Sequence, residues 1–164
     1  MKSDSNMIEL LVIGAVFLIY FLLSRLKEDK RSNELKQLAG KLGFSFHDGE
    51  YTKDELRGFS LCDDQYTAQA RNEMTGRLMG RHIEVFDFEH WAGPHSSTRW
   101  WETIVLFPEI ISDSSACKIE RDSMILEVDT QGNIIVYQPR TLISAAHREA
   151  YIRRAIELVK AEIG

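Results

Sequence analysis

The stretch RHIEVFDFEHW, residues 81–91, decides the fold. Ile83 and Val85 fall on one face of an extended chain, Phe86 and Phe88 on the other, because successive strand side chains point to opposite sides of a sheet. The six residues AGPHSS then make a loop, and Arg99 to Phe107 return as RWWETIVLF. Together the two runs predict a long antiparallel hairpin. Pro108 ends it, since a residue without an N–H cannot continue the ladder.

The alternation extends outward in both directions. On the C-terminal side, Ser115–Glu120 reads as a further strand. Met124–Val128 and Asn133–Tyr137 flank Asp129–Gly132 as a second hairpin, and Pro139 closes the sheet region. On the N-terminal side, Tyr66–Met74 reads as a strand followed by a turn region from Gly76 to Gly80. Phe44 and Phe46 alternate with polar residues as a short strand. Thr52 to Glu55 has the form of a capping box that starts a turn of helix before Gly58.

Helices bracket these strands. Leu35, Leu38, Ala39 and Leu42 recur at helical spacing, and Gly43 stands where a helix C-terminus favours a left-handed residue. Ser32 or Asn33 offers a cap for a separate start just before this stripe. At the other end Ser144 can cap a helix whose stripe is Ala145, Ile152, Ile156, Val159 and Ile163, with Ala155 beside them. Arg148, Arg153, Arg154, Glu157 and Lys160 form its solvated face. Helix, strands and helix in that order predict an α+β class, an antiparallel sheet with a juxtamembrane helix and a C-terminal helix packed on it.

The juxtamembrane reading comes from MIELLVIGAVFLIYFLLSRL, Met7 to Leu26, which carries no charge from Leu10 to Leu23. At about 1.5 Å per residue, roughly twenty residues cross a hydrocarbon layer of about 30 Å. A cleaved secretory signal would need a basic leader and a small-x-small cleavage site, and FLLSRLKED supplies no such site. Lys2 precedes the span, whereas Arg25, Lys27, Lys30, Arg31, Lys36 and Lys41 follow it. Positive residues stay on the cytoplasmic side, so a single-pass protein of the inner membrane is expected, N-terminus out and domain in. The lipid bilayer, met through Met7–Leu26, is the first expected partner. The reading divides the chain into a tail (1–6), a transmembrane helix (7–26), a juxtamembrane helix (27–42) and a cytoplasmic domain (43–164).

Residues 43–164 hold thirteen Lys and Arg against twenty Asp and Glu, a net of −7. Nucleic acid is therefore not an expected partner, since phosphate contacts need clustered basic residues. Cys62 and Cys117 form no C-x-x-C and read as small buried hydrophobes in a reducing compartment.

Several runs carry a resemblance: LAGKLGFSF just after an anchor, ARNEMTGRLMGRHIEVFDFEHWAG, and ETIVLF. They resemble a group of uncharacterised bacterial single-pass membrane proteins whose soluble domains show L-G-x-x-F, N-x-x-x-G, F-D-[YF] and T-V-V-L-F. The matching positions are Leu42, Gly43, Phe46, Asn72, Gly76, Phe86, Asp87, Phe88, Thr103, Val105 and Phe107. The resemblance implies location and fold, and no activity comes with it.

Chemistry is sparse. His82 and His90 lie eight residues apart on a strand, roughly 26 Å at about 3.3 Å per residue, too far for one ion. His90 and His95 flank the hairpin loop, but a polar loop tip has the same composition, so neither a metal nor another cofactor is expected. Asp87 and Glu89 share a face, as a carboxylate pair would, yet a working pair needs a cleft that raises one pKa. No catalytic residue is assigned. Trp100 and Trp101 point to opposite faces. A pairing of Phe86 with Thr103 sets Trp101 against Phe88 in the core and leaves Trp100 for contact. The expected function is non-catalytic: binding of a protein partner or small ligand through Trp91, Trp100, His90 and His95. The alternatives are a hydrolase using the acid and histidine cluster, and a structural subunit assembling through the span.

Overall fold

A computed structural model describes residues 3–53, 56, 58–61, 69–91, 99–108 and 116–163, with the backbone alone for residues 3–8, 90, 91 and 99. The chain divides into two units, Met1–Glu34 and Leu35–Gly164. Helix α1 runs from Ser3 to Leu42 without a break, so Ser32 and Asn33 do not open a second helix. It includes the one helical segment among the described residues that is long and apolar enough to cross a membrane.

In the second unit the strands are β1 (Ser45–His47), β2 (Tyr51–Thr52), β3 (Gln69–Leu78), β4 (Arg81–Trp91), β5 (Arg99–Phe107), β6 (Cys117–Arg121), β7 (Met124–Val128) and β8 (Ile134–Tyr137). Helix α2 follows as Ala145–Glu162. The strands form one sheet in the order β1-β3-β4-β5-β8-β7-β6, with β2 also on β3. Every pairing is antiparallel. The class is therefore α+β, as the order of elements implies. The expected capping box falls partly on Asp54 and Glu55, outside the described residues, and Thr52 itself belongs to β2.

Turn chemistry sets the hairpins. Gly76 does not begin a turn, contrary to expectation. Strand β3 continues to Leu78, and the turn is Met79–Gly80, both with positive φ (53° and 83°). Paired positive φ values match the right-handed twist of the flanking strands, which is why two-residue hairpins adopt them. Gly76 has another reason to lack a side chain: a Cβ there would lie 2.3 Å from the Phe44 ring. The ring fills the space above the strand, so Gly76→Ala should destabilise by about 1–3 kcal/mol, the usual cost of overpacking. Urea unfolding checks this, and an unchanged midpoint would mean that Phe44 is free to move aside.

The two faces of the sheet are covered differently. On one face Leu35 and Ala39 of α1 and Tyr151, Ile152, Ala155, Ile156 and Val159 of α2 pack with Ile83, Val85, Val105 and Leu126. On the other face Phe86, Phe88, Ile104, Leu106, Ile135 and Tyr137 form a second core with Leu56 and Phe59. The described residues between Lys53 and Leu61 pack on this second face, and polar contacts hold that stretch at both ends. Near its start the Lys53 ammonium bonds Glu84 and lies 2.6 Å from Glu73. Near its end Ser60 donates to Glu127 from its backbone N–H and, at 2.7 Å, from its hydroxyl.

Burial works against the Lys53 charge, but hydrogen bonds from its ammonium to Glu73 and Glu84 outweigh it and hold the pKa above the ordinary 10.5. A raised lysine pKa contributes stability that is complete below the unfolded value and falls as pH rises through the folded one. Melting temperature should therefore decline at alkaline pH beyond the lysine range. In Lys53→Met that decline should be shallower, on a lower plateau. Equal alkaline slopes in the two proteins would remove Lys53 from the linkage.

Candidate functional site

Asp87 sits mid-strand on β4, on the helix-covered face, and is fully buried. A bare carboxylate there would be costly, so the surrounding sequence surrounds it with donors. Thr103 lies directly opposite on β5 and donates its hydroxyl to Asp87 Oδ1 at 3.2 Å. On the other flank the β3–β4 ladder is irregular between Arg71 and Met74, and Asn72 there has a φ of 55°. Asn tolerates the left-handed region better than most residues. At this irregularity its amide Nδ2 donates to Asp87 Oδ2 at 3.1 Å.

The positive partner comes from α2. Arg148 has no exposure and donates from Nη2 to Asp87 Oδ1, and at 3.0 Å to Thr103 Oγ1. Its place on a solvated face, the expectation from composition, is thus corrected. It stands three residues after Ala145 and four before Ile152, on the apolar stripe itself, and that spacing was the available signal. Asp87 interrupts the inward series Ile83, Val85 in the same way.

The same threonine gathers the chain that enters α2. Thr103 Oγ1 accepts the N–H of Ile143 at 2.9 Å, the Thr103 N–H donates to the Thr141 carbonyl at 3.0 Å, and Tyr151 donates to the Thr103 carbonyl at 3.3 Å. Burial pushes the Tyr151 hydroxyl pKa well above the ordinary tyrosine range. Asp87, Thr103, Asn72, Arg148 and Tyr151 together fasten the start of α2 to the middle of the sheet. An acid bound this way is a structural anchor for the helix.

The tryptophans lie farther along the same hairpin. The register pairs Phe86 with Ile104, Phe88 with Glu102 and Glu89 with Trp101, one residue away from the expected pairing. Trp101 therefore does not join Phe88, and both tryptophans are half-buried. Trp101 shares the helix-covered face with Asp87 and Glu89, and the Arg71 guanidinium stacks 3.8 Å from its ring centre. Trp100, on the other face, donates its indole N–H to Glu102 at 3.1 Å, with Arg140 at 5.3 Å from its ring. Each tryptophan thus has an arginine over it, one on each side of the sheet.

Of the other residues named from sequence, His90 and Trp91 pair through their backbones with Trp100 and Arg99, while their side chains lie outside the description. His95 lies outside the described residues altogether. Among the described residues no group of three His, Cys, Asp or Glu side chains is placed to hold a metal ion. Cys117 is exposed rather than buried, and Cys62 is not described. Compared with family models, with curated proteins and with solved structures, the chain matches none.

Proposed function

We propose that the chain is a bacterial inner-membrane protein in which Met7–Leu26 crosses the bilayer, N-terminus out, and holds a non-catalytic binding domain in the cytoplasm. One observation carries the anchor. From Leu10 to Leu26 the large apolar side chains, Phe17, Tyr20 and Leu26 among them, are each at least half exposed. Such an apolar surface is unstable in water, and Met7–Leu26 matches a hydrocarbon layer in length. The six basic residues from Arg25 to Lys41 support the orientation.

The binding role is supported by the Trp100–Arg140 and Trp101–Arg71 stacks at one end of the hairpin, since Trp and Arg are the residue types that most often anchor interfaces. The hydrolase alternative loses weight because Asp87, half of its acid pair, is engaged by Arg148, Asn72 and Thr103. A partner protein or small ligand is the class of molecule this surface suits.

A reporter fused after Gly164 tests the anchor. Fluorescence of a cytoplasm-dependent fusion in the membrane fraction is the expected result, and alkaline phosphatase activity at that position would overturn the orientation. Trp100→Ala tests the binding role. It should lower the unfolding free energy by no more than about 1 kcal/mol yet abolish capture of whatever co-purifies from native membranes. Retained capture would exclude the hairpin end as the contact.

A further inference from the structure

We propose that the domain pairs with a second copy of itself along the outer edge of β6, by antiparallel strand addition centred on Ile119. Strand β6 ends the sheet order, and among the described residues no strand pairs with its outer side. Its residues are exposed except for Ile119, which is partly covered by the helix-side core. An open edge of this kind invites another strand, and its side chains decide which strand is admitted.

The hairpin geometry settles which backbone groups face outward. Arg121 pairs with Met124 across the two-residue turn Asp122–Ser123, whose φ values are 52° and 64°. In such a hairpin the pair closing the turn is hydrogen-bonded, and alternate residues then face the partner strand or away from it. Arg121, Ile119 and Cys117 therefore direct their N–H and C=O groups to β7. Lys118 and Glu120 direct theirs to the open edge.

Only outward-facing residues can exchange ladder bonds with a second copy, so the two-fold axis must fall near Lys118, Ile119 or Glu120. An axis at Lys118 sets two lysines opposite each other, and one at Glu120 sets two glutamates opposite each other. Both are repulsive. An axis at Ile119 sets Lys118 against Glu120 of the second copy and Glu120 against its Lys118. That register makes two reciprocal opposite-charge pairs, four backbone hydrogen bonds and a close Ile119–Ile119 contact. Cys117 then meets Arg121 without a charge clash.

The Lys118 ammonium is half exposed, at 2.8 Å from Ser60 Oγ and 3.7 Å from Glu127. Among the described residues the exposed Glu120 has no ion-pair partner on its own chain, which leaves its carboxylate for the second copy's lysine. The occupant is thus the sequence CKIER itself, residues 117–121, whose charges are self-complementary only when the strands run antiparallel about Ile119.

Disulfide trapping of the full chain in detergent tests this. In a background with Cys62→Ser and Cys117→Ser, Ile119→Cys should cross-link to a dimer on mild oxidation, because a non-hydrogen-bonded cross-strand pair brings Cα atoms to about 4.5 Å. Thr130→Cys, at an exposed turn on the same domain, is the control and should remain monomeric. Equal cross-linking at both positions would reflect two chains sharing a micelle and would overturn the edge contact, as would no cross-linking at Ile119→Cys. The unmodified edge is tested by sedimentation of full-length chains without the added cysteine. Glu120→Lys should weaken self-association about tenfold, and Lys118→Glu with Glu120→Lys should restore it, since the swap rebuilds both pairs in reverse. Unchanged association in Glu120→Lys would overturn the proposal.

Discussion

Replacing Arg148 by Met should cost the second unit about 3–5 kcal/mol, the usual effect of removing one partner from a buried ion pair. The loss is not the value of an attraction. Asp87 would stay where β4 puts it, fully buried, with the hydroxyl of Thr103 and the amide of Asn72 but without the Arg148 guanidinium that offsets its charge. Its carboxylate must then accept a proton, find water or unfold the helix side of the sheet. A second variant separates these terms. Asp87→Leu with Arg148→Met removes both charges together and should recover much of the loss, because the desolvation penalty of each disappears with it. Urea unfolding of residues 30–164, which contain the whole second unit, reads both. If the double variant is as unstable as the single one, Arg148 serves chiefly through Ile143 and Thr103 rather than through the acid.

Phe86→Ala should be comparably severe, about 3–5 kcal/mol, since truncating a buried aromatic residue loses both transfer energy and packing. Phe86 has no exposure and lies in the core with Phe88, Ile104 and Leu106, beneath the segment that holds Leu56 and Phe59. The Lys53 ammonium also lies 5.2 Å from its ring centre, so the cavity would open beside a buried charge. Trp101→Ala is the informative contrast. The ring is half-buried and chiefly stacks with Arg71, which suggests a loss of roughly 0.5–2 kcal/mol. A register pairing Phe88 with Trp101 would make the two variants equally damaging. Thermal unfolding of both, side by side, therefore tests the strand register as well as the second core.

Much of the architecture was legible from residues alone, because its signals are local. Period-two alternation named the β4–β5 hairpin, helical spacing named the end of α1 and α2, and the charge-free run named the segment suited to a membrane. Turns were legible only in part. Gly132 has the positive φ its position suggests, whereas Gly76 answers to Phe44, a contact no neighbouring residue announces.

What only the tertiary structure decided is register and the pairing of buried charge. Because the side-chain period is two, the one-residue difference between Phe86–Thr103 and Phe86–Ile104 exchanges the partners of every residue on the hairpin, Trp101 included. No local pattern reports that offset, since either register keeps the period-two alternation of both strands intact. Arg148 looked like a surface residue because composition ranks charge as exposed, and no local pattern pairs it with Asp87. Their burial is favourable only jointly, between groups sixty-one positions apart that the chain brings together once sheet and helix have packed.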